Sequence, residues 1–428
     1  MYVGFEEFKG RRLIERGSER FATHAEDFDN PFLEPDFELR TSGSSGPENV
    51  VRLSLEFVAD QAVNQGLVLR AHGLERAQHA IWMPAPVFQI LRYARLGRPP
   101  VAWFHPVQPL PWRVRFVGWF LRVLGAFVGC ALPAPVWVEL SAPGRLIDWL
   151  VERLADGQPL CLTTYASQAV RVAHEARRQG RSLDGLCFIC IGEPFTEAKH
   201  RVIAASGARA IATYSSTETG VMASRCVEPR GADDLHVYRD SFALIQRRRL
   251  IGDLAVSVPA LHLTSPLASA PKIMLNVETG DHGTLERRDC ACGLGALGLR
   301  DHLSGVRSHE KLTGEGMTFL RTTLLQILEE TLPRRFGGTA GEYQLVEEED
   351  ADGILRLSLL VSPTIESADE ETLRQAFLGE LSRRSQLEKH MAAIWERAGT
   401  LRVRRETPRL TTGGKVQPFR PLGSSRTS

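Results

Sequence analysis

The sequence predicts a large α/β domain followed by a smaller α+β domain. Apolar runs of strand length alternate with helical patterns as far as Thr213, which is typical of an α/β layered domain. The middle of the chain has strand patterns over Asp234–Gln246, Gly252–Val258 and Lys272–Val277, and the pattern changes again near Arg307. At 428 residues the chain is also too long for one ordinary core. We therefore predict domains over residues 1–306 and 307–428.

Composition is that of an ordinary globular protein. Hydrophobic residues make up 43% and charged residues 24%, and 52 basic residues balance 51 acidic ones. This balance disfavours nucleic acid or an anionic membrane as a partner. The most apolar stretch, Phe116–Val138, is interrupted by Arg122 and Pro133, which favours a buried helix and strand over a membrane span. Seven cysteines without a secretory pattern predict reduced thiols or metal ligands in the cytoplasm.

The first part of the chain leads to a loop rich in glycine and hydroxyl groups. Residues 1–36 are predicted as a charged, helical lead-in. Thr41–Gly46 then joins two short alternating segments that read as strands. Glycines let backbone N–H groups converge, and serine and threonine add donors without bulk, so such a loop can surround polyphosphate oxygens. A plain hairpin loop is the structural alternative.

Helix and strand patterns alternate after this loop. They are predicted, in order, as a helix over 55–76, strands over 80–83 and 159–164, a helix over 167–179, a strand over 186–191, a helix over 196–205 and a strand over 208–213. Cys187 and Cys190 lie in the continuous apolar strand Leu186–Ile191. Residues three apart on a strand point to opposite faces, so we predict buried structural cysteines rather than a redox or zinc pair.

The last third of the chain has a different pattern. A helix is predicted over Thr318–Leu332 and another over Asp369–Arg384. Between them, Tyr343–Glu347 and Ile354–Val361 read as a hairpin that turns at Asp352-Gly353. A strand over 400–403 and a tail ending in Thr-Thr-Gly-Gly-Lys415-Val complete the small domain.

Several motifs stand in an order that resembles the adenylate-forming superfamily. They are Thr41–Gly46, Gly192-Glu193-Pro194, Tyr214-Ser-Ser-Thr217-Glu218, Thr279-Gly280-Asp281, Gly305-Val-Arg307 and Pro408-Arg-Leu-Thr-Thr-Gly-Gly-Lys415. The chain is most similar to the phenylacetate–CoA ligase branch and to the acyl-protein synthetases of bacterial luminescence. The resemblance implies a large adenylate-forming N-terminal domain, and a small mobile α+β C-terminal domain that carries the catalytic lysine.

The resemblance implies a reaction and a role for each motif. A carboxylate would attack the α-phosphate of ATP, giving an acyl-adenylate and pyrophosphate. By this resemblance, the β- and γ-phosphates would be bound by Thr41, Ser42, Gly43, Ser44, Ser45 and Gly46, and adenine by Tyr214 with Gly192, Glu193 and Pro194. Thr217 would bind the α-phosphate, Glu218 would bind Mg²⁺, and Asp281 would bind the ribose hydroxyls. Arg307 would contact ribose or phosphate, and Lys415 would neutralise charge in the transition state. Each also has a plain alternative, such as a core aromatic for Tyr214 or a surface lysine for Lys415.

Two departures from the family pattern concern charge. Gly46 is followed directly by Pro47 and Glu48, where the family has a basic or small residue after proline. An acid near phosphate is unfavourable unless it points away. After Arg307, His309 stands where the family hinge is usually acidic.

Four residues in the β-rich region have the chemistry of a zinc site. Cys226, His236, Cys290 and Cys292 provide four ligands that could close a tetrahedral Zn²⁺ site, and the Cys-Ala-Cys-Gly segment is similar to one in the phenylacetate–CoA ligase branch. With no open position, such a metal would be structural. A core thiol, a surface histidine and a tight turn are the alternative reading.

The sequence leaves the substrates open. The acyl pocket is expected between Tyr165, Gly192 and Tyr214, and its apolar neighbours favour an aryl or aliphatic acid. By resemblance the acyl group passes to a thiol, of coenzyme A or of a carrier or partner protein. An amide-forming ligase with an amine acceptor, and a degenerate nucleotide-binding scaffold that no longer adenylates, are the alternatives. A homodimer is one option for the oligomeric state.

Overall fold

The computed structural model describes residues 2–40, 50–84, 86–106, 133–251, 256–308, 311–314, 317–350, 353–383, 386–409, 416 and 418–420. Contacts between Cα atoms divide the chain into one compact unit that ends at Arg307 and another that begins at Ser308. The α/β and α+β fold class predicted from the sequence is confirmed. No helix within these residues is both long enough and apolar enough to cross a membrane.

The first unit is built on one large sheet. The strands of the unit, in chain order, are β1 (Ile14–Arg16), β2 (Glu19–Phe21), β3 (Phe37–Arg40), β4 (Val50–Leu53), β5 (Gln78–Trp82), β6 (Ala102–His105), β7 (Pro135–Trp137), β8 (Leu160–Tyr165), β9 (Leu186–Ile191), β10 (Arg209–Ser216), β11 (Gly220–Arg225), β12 (Leu235–Val237), β13 (Ala243–Ile251), β14 (Val256–Thr264), β15 (Val277–Arg287) and β16 (Asp301–Ser308). The pairs β1–β2 and β3–β4 form two separate two-stranded sheets. Twelve strands form the sheet, in the order β13-β14-β15-β16-β12-β11-β10-β9-β8-β5-β6-β7.

The parallel half of this sheet is covered by helices on both faces. The helices of the unit are α1 (Phe5–Phe8), α2 (Leu55–Ala71), α3 (Val87–Arg95), α4 (Gly144–Leu154), α5 (Ala166–Arg178), α6 (Glu197–Ala204) and α7 (Gly293–Ala296). The Thr163 hydroxyl lies 2.7 Å from the Tyr93 hydroxyl on α3, and the next hydroxyl, Thr164, lies 2.6 Å from the Gln168 side chain on α5. Neighbouring residues of a strand point to opposite faces, so α3 and α5 pack on opposite sides of the sheet.

Burial follows from the sequence of the central strands. Every residue of β9, Leu186–Ile191, is buried, as expected for a parallel strand covered on both faces. Cys187 and Cys190 are buried free thiols, so the prediction of structural cysteines is confirmed. Burial raises the pKa of the Cys190 thiol far above its usual range, which keeps the group protonated and inert.

The N-terminal segment is the clearest failure of the sequence prediction. Residues 1–36 are not a helical lead-in but contain the four-residue helix α1, the β1–β2 hairpin and a 3₁₀ turn over Ala25–Phe28. Tertiary contacts hold the segment. Val3 forms a parallel bridge to Val277 at the start of β15, and the Phe8 ring packs edge-on against Phe28 with 4.9 Å between centroids.

The second unit contains the smaller sheet. Its elements are β17 (Lys311–Gly314), β18 (Met317–Leu320), α8 (Arg321–Gln326), a π-helical turn (Ile327–Thr331), α9 (Leu332–Phe336), β19 (Tyr343–Glu349), β20 (Leu355–Val361), α10 (Glu370–Leu381), α11 (Gln386–Ala398), β21 (Leu401–Arg405) and β22 (Phe419–Arg420). The order β21-β20-β19-β22 includes the hairpin predicted over 343–361. The predicted helix over 318–332 begins instead as strand β18 and becomes helical at Arg321.

Candidate functional site

The predicted nucleotide residues lie where neighbouring strands of the large sheet end. Strands β8, β9 and β10 are parallel neighbours, so their carboxyl ends share one edge of the sheet. Tyr165 ends β8, Gly192 follows β9, and Tyr214 lies two residues before the end of β10. Loops at such an edge are the usual place for ligands in α/β sheets.

The backbone conformation and the close packing at position 192 both require glycine. Its φ is +74°, a value that disfavours any residue with a Cβ atom. A Cβ atom there would also lie 3.1 Å from Cδ1 and Cε1 of the Tyr165 ring. Burial, with a smaller contribution from Glu193, raises the pKa of Tyr165 to about 12. The ends of β8 and β9 therefore meet in a tight glycine–aromatic contact.

The Glu193 side chain is buried and connects this loop to helix α5. Its carboxylate accepts hydrogen bonds of 2.8 Å from the backbone N–H and from the hydroxyl of Ser167, in the first turn of α5. Negative charge is favourable at a helix N-terminus. Lys199 Nζ lies 3.8 Å from the carboxylate and donates to the Pro194 carbonyl at 2.8 Å, and both charged side chains are fully buried. The carboxylate of Glu193 thus has a structural task, beside the predicted role of the loop in adenine binding.

The structure brings together two predicted residues that are 67 positions apart. The Tyr214 hydroxyl donates a hydrogen bond of 2.9 Å to Asp281 Oδ2 on β15. Tyr214 is buried, and burial together with the negative charge of Asp281 raises the pKa of its phenol well above the usual range. The phenol therefore stays protonated and serves as a donor to the carboxylate. A β-bulge between Tyr214 and Ser215 marks this point of the sheet.

Thr217 and Glu218 occupy the turn between β10 and β11. The Thr217 hydroxyl is half-buried and has no hydrogen bond within the described part of the chain. The Glu218 carboxylate is paired with Lys9, whose Nζ atom lies 2.6 Å from Glu218 Oε1. Only 13% of the glutamate side chain and 11% of the lysine side chain are exposed. Lys9 was not among the predicted site residues, because nothing in its local sequence connects it with a motif 209 residues away.

Arg307 is held near the end of β16. Its guanidinium donates to the Val306 carbonyl at 2.7 Å and lies 3.4 Å from Asp233 Oδ2. The same Asp233 oxygen accepts the Gly305 N–H at 3.0 Å. Thr41–Gly46 and Lys415 lie outside the described residues, as do Glu48 and His309, so their predicted roles stay predictions.

The structure also brings Cys226, His236, Cys290 and Cys292 into one cluster. Cys226 Sγ lies 3.5 Å from Cys290 Sγ and 3.9 Å from Cys292 Sγ, and His236 Nε2 lies 3.1 Å from Cys292 Sγ. All four ligand atoms lie within 4.8 Å of one another. Tetrahedral Zn²⁺ with Zn–S bonds of about 2.3 Å separates its sulfur ligands by about 3.8 Å. The four residues therefore fit this metal.

Neighbouring groups influence the protonation of two residues of the cluster. The His236 Nδ1–H donates to the Leu299 carbonyl at 2.7 Å, which leaves Nε2 as the ligand atom. Burial, with the nearby His302, lowers the pKa of His236 to about 4, so its imidazole is neutral. Burial also acts to raise the pKa of Cys292, but backbone N–H groups, including that of Gly295, reverse this and lower it overall. This environment favours a thiolate at Cys292.

Among the comparisons with known proteins, only the one with solved structures found a likeness. No protein-family model and no curated protein matches the chain. A solved structure of 2-hydroxyisobutyryl-CoA ligase, in complex with 2-HIB-AMP and CoA, is similar over 91% of this chain and 74% of its own, with a TM-score of 0.54 and 16% identity. The chain has the adenylate-forming ligase fold. At this identity the likeness concerns the fold alone.

Two weaker likenesses have TM-scores below 0.5. An acyl-CoA synthetase (AMP-forming)/AMP-acid ligase II-like protein from Dyadobacter fermentans is similar over 89% of this chain and 87% of its own, with 15% identity and a TM-score of 0.36. An NRPS protein containing adenylation and PCP domains is similar over 90% of this chain and 59% of its own, with 13% identity and a TM-score of 0.47.

Proposed function

We propose that this protein is an ATP- and Mg²⁺-dependent ligase that activates a carboxylic acid as an acyl-adenylate and then transfers the acyl group to a thiol. The observation that carries the proposal is the hydrogen bond between Tyr214 and Asp281. These residues come from separate motifs, to which the family resemblance assigns the adenine and the ribose of one nucleotide. Their contact at the carboxyl edge of an adenylate-forming fold supports a common nucleotide site.

The other residues have roles that follow from charge and position. Glu218 would hold Mg²⁺, a cation that prefers oxygen ligands and would neutralise phosphate charge when bound. Thr217 would donate its unused hydroxyl to the α-phosphate, and the backbone of Gly192–Pro194 would border adenine. Lys415 would neutralise the charge that develops between carboxylate and phosphate. Arg307 would contact ribose or phosphate after leaving Asp233.

The finer parts of the proposal concern subtype and location. We favour a phenylacetate–CoA ligase-like enzyme that uses coenzyme A or the thiol of a carrier or partner protein, with reduced cysteines and a cytoplasmic location. The Cys226–His236–Cys290–Cys292 cluster supports a structural Zn²⁺ site, because its four side chains would fill a tetrahedral site and leave no position open for chemistry.

Pyrophosphate release tests the function. Purified protein is assayed with ATP, Mg²⁺ and a panel of aryl and aliphatic carboxylic acids, beside Lys415→Ala. We expect release that depends on one class of acid and falls by about a thousandfold in the variant, since a charge at a reacting group contributes several kcal/mol to the transition state. Release that does not depend on an acid, or that is unchanged in Lys415→Ala, would contradict the proposal.

The second candidate is a nucleotide-binding scaffold without adenylation. The Lys9–Glu218 ion pair favours it, because the carboxylate proposed for Mg²⁺ already has a cationic partner. Such a scaffold would bind ATP with or without Mg²⁺ and give no release with any acid. The two candidates therefore differ in a single assay.

A further inference from the structure

The Lys9 ammonium group contacts Glu218, the carboxylate proposed for Mg²⁺. Its Nζ atom is 2.6 Å from Glu218 Oε1, and both side chains are almost completely shielded from water. Removing two charges from water is costly unless they pair closely. A lysine beside the carboxylate proposed for Mg²⁺ would also be within reach of a phosphate that this cation holds.

Lys9 is held there by a folded segment. Its backbone N–H donates to the Phe5 carbonyl at 3.1 Å at the end of α1, and its Nζ atom lies 5.1 Å from the centroid of the Phe8 ring. Both phenylalanines are buried. The contact with an aromatic face adds to the stabilisation of the cation.

The same segment is tied to the strand that carries Asp281. The Glu278 N–H donates to the Val3 carbonyl at 2.8 Å, and the Val3 N–H donates to the Asn276 carbonyl at 3.1 Å. Farther along, Arg16 forms an ion pair with Glu7 at 2.9 Å, and its hydrogen bonds to Glu7 lower the pKa of that carboxyl. The N-terminal segment is therefore attached to β15 and positions Lys9 with respect to both Glu218 and Asp281.

The predicted phosphate loop supplies no positive charge of its own. Residues 41–48, Thr-Ser-Gly-Ser-Ser-Gly-Pro-Glu, contain one acid and no base. A polyphosphate bound beside them needs cationic partners from elsewhere in the chain. The lysine side chain is suited to this, because its ammonium has three donors on a flexible stem and can change partners without moving the backbone.

We propose that Lys9 is a phosphate-binding residue of the nucleotide site. Without nucleotide, Lys9 neutralises Glu218. With ATP and Mg²⁺ bound, Glu218 would hold the cation, and the Lys9 ammonium would turn to the β- and γ-phosphate oxygens. This inference rests on the proposed function and adds the N-terminal segment to the site.

Nucleotide affinity tests this role directly. Dissociation constants for Mg·ATP and for AMP are measured by calorimetry with wild-type protein, Lys9→Met, Lys9→Arg and the control Arg11→Met. Arg11 is in the same segment but forms a more exposed ion pair, at 3.4 Å, with Glu6. We expect Lys9→Met to weaken the binding of Mg·ATP by about tenfold to a hundredfold, the range for a hydrogen bond to a charged group. The dissociation constant for AMP should change by less than about twofold. Lys9→Arg should keep most of the affinity, and Arg11→Met all of it.

The other outcomes contradict the inference in different ways. Tighter Mg·ATP binding by Lys9→Met would make Lys9 a competitor of the metal, and equal weakening of ATP and AMP would make it structural. Unchanged Mg·ATP binding by Lys9→Met would overturn the inference and leave the proposed function intact. If wild-type protein does not bind Mg·ATP at all, the inference and the proposed function both fail. The double variant Lys9→Met/Glu218→Gln, which removes both charges of the pair, and a thermal unfolding curve for each variant show whether a folding defect is the cause.

Discussion

The cysteine–histidine cluster lies in the same unit as the Tyr214–Asp281 and Lys9–Glu218 pairs of the proposed nucleotide site, but the polar groups of the two regions are partnered differently. In the cluster, three thiols and an imidazole converge with only weak mutual contacts. In the proposed nucleotide site, the polar groups already pair with each other, Tyr214 with Asp281 and Glu218 with Lys9. A cation bound by the cluster would satisfy its converging ligand atoms, whereas a ligand of the proposed nucleotide site would have to replace interactions that exist. Three predictions follow this contrast, from the largest effect to the smallest.

Removal of zinc should have the largest effect. Cys292→Ala should abolish stoichiometric zinc and lower the free energy of unfolding by more than about 4 kcal/mol, because metal binding at a structural site contributes directly to folding. Metal analysis of chelator-free protein and urea unfolding measure the two quantities. The control is Cys187→Ala, a buried thiol outside the cluster, which should keep its zinc and lose only about 1–2 kcal/mol of packing. Full stability without stoichiometric zinc would refute the site.

An intermediate effect is expected at the loop after β9. Glu193→Gln keeps the shape of the side chain but removes the negative charge beside the buried Lys199 ammonium, which then retains the Pro194 carbonyl as a partner. We therefore expect the free energy of unfolding to fall by about 3 kcal/mol. The matched control is Glu175→Gln, which breaks an exposed pair with Arg178 on α5 and should change nothing measurable. Equal unfolding curves for the two variants would show that the buried pair is not what holds the loop.

The smallest effect separates the two partners in the nucleotide site. Tyr214→Phe removes one hydrogen bond and should lower stability by about 1 kcal/mol, but should leave ATP affinity within about threefold, because Asp281 is then free to accept from ribose. Asp281→Asn should weaken the binding of ATP by about tenfold and should weaken the binding of 3′-deoxy-ATP less. Calorimetry with both nucleotides measures this difference. If Tyr214→Phe weakens ATP as much as Asp281→Asn does, the two groups do not exchange partners as proposed.

Parts of this molecule could be predicted because their residue types carry the information. Apolar runs such as Leu186–Ile191 identify buried parallel strands, and cysteine and histidine are rare enough that four of them in one β-rich region suggest a metal site. The hairpin over Tyr343–Val361 was predicted from strand patterns around the Asp-Gly turn, and the structure contains it.

Other parts depend on contacts that no local pattern contains. The N-terminal segment was predicted as helix, but its shape is set by the bridge between Val3 and Val277 of β15 and by the packing of Phe8 against Phe28. Lys9 contacts Glu218 because the segment folds in this way. The strand predicted over Lys272–Val277 begins instead at Val277, because residues before it bond to the N-terminal segment and to the end of β14.

Exchange of labelled pyrophosphate into ATP is the most direct test of the central claim that this chain forms acyl-adenylates. The exchange reports the reverse of adenylation and needs no knowledge of the acyl acceptor. We predict exchange that requires Mg²⁺ and one class of carboxylic acid, that is weakened in Asp281→Ala, and that is lost in Lys415→Ala. Tight ATP binding without exchange, for every acid in a broad panel, would contradict the account and leave a nucleotide-binding scaffold in its place.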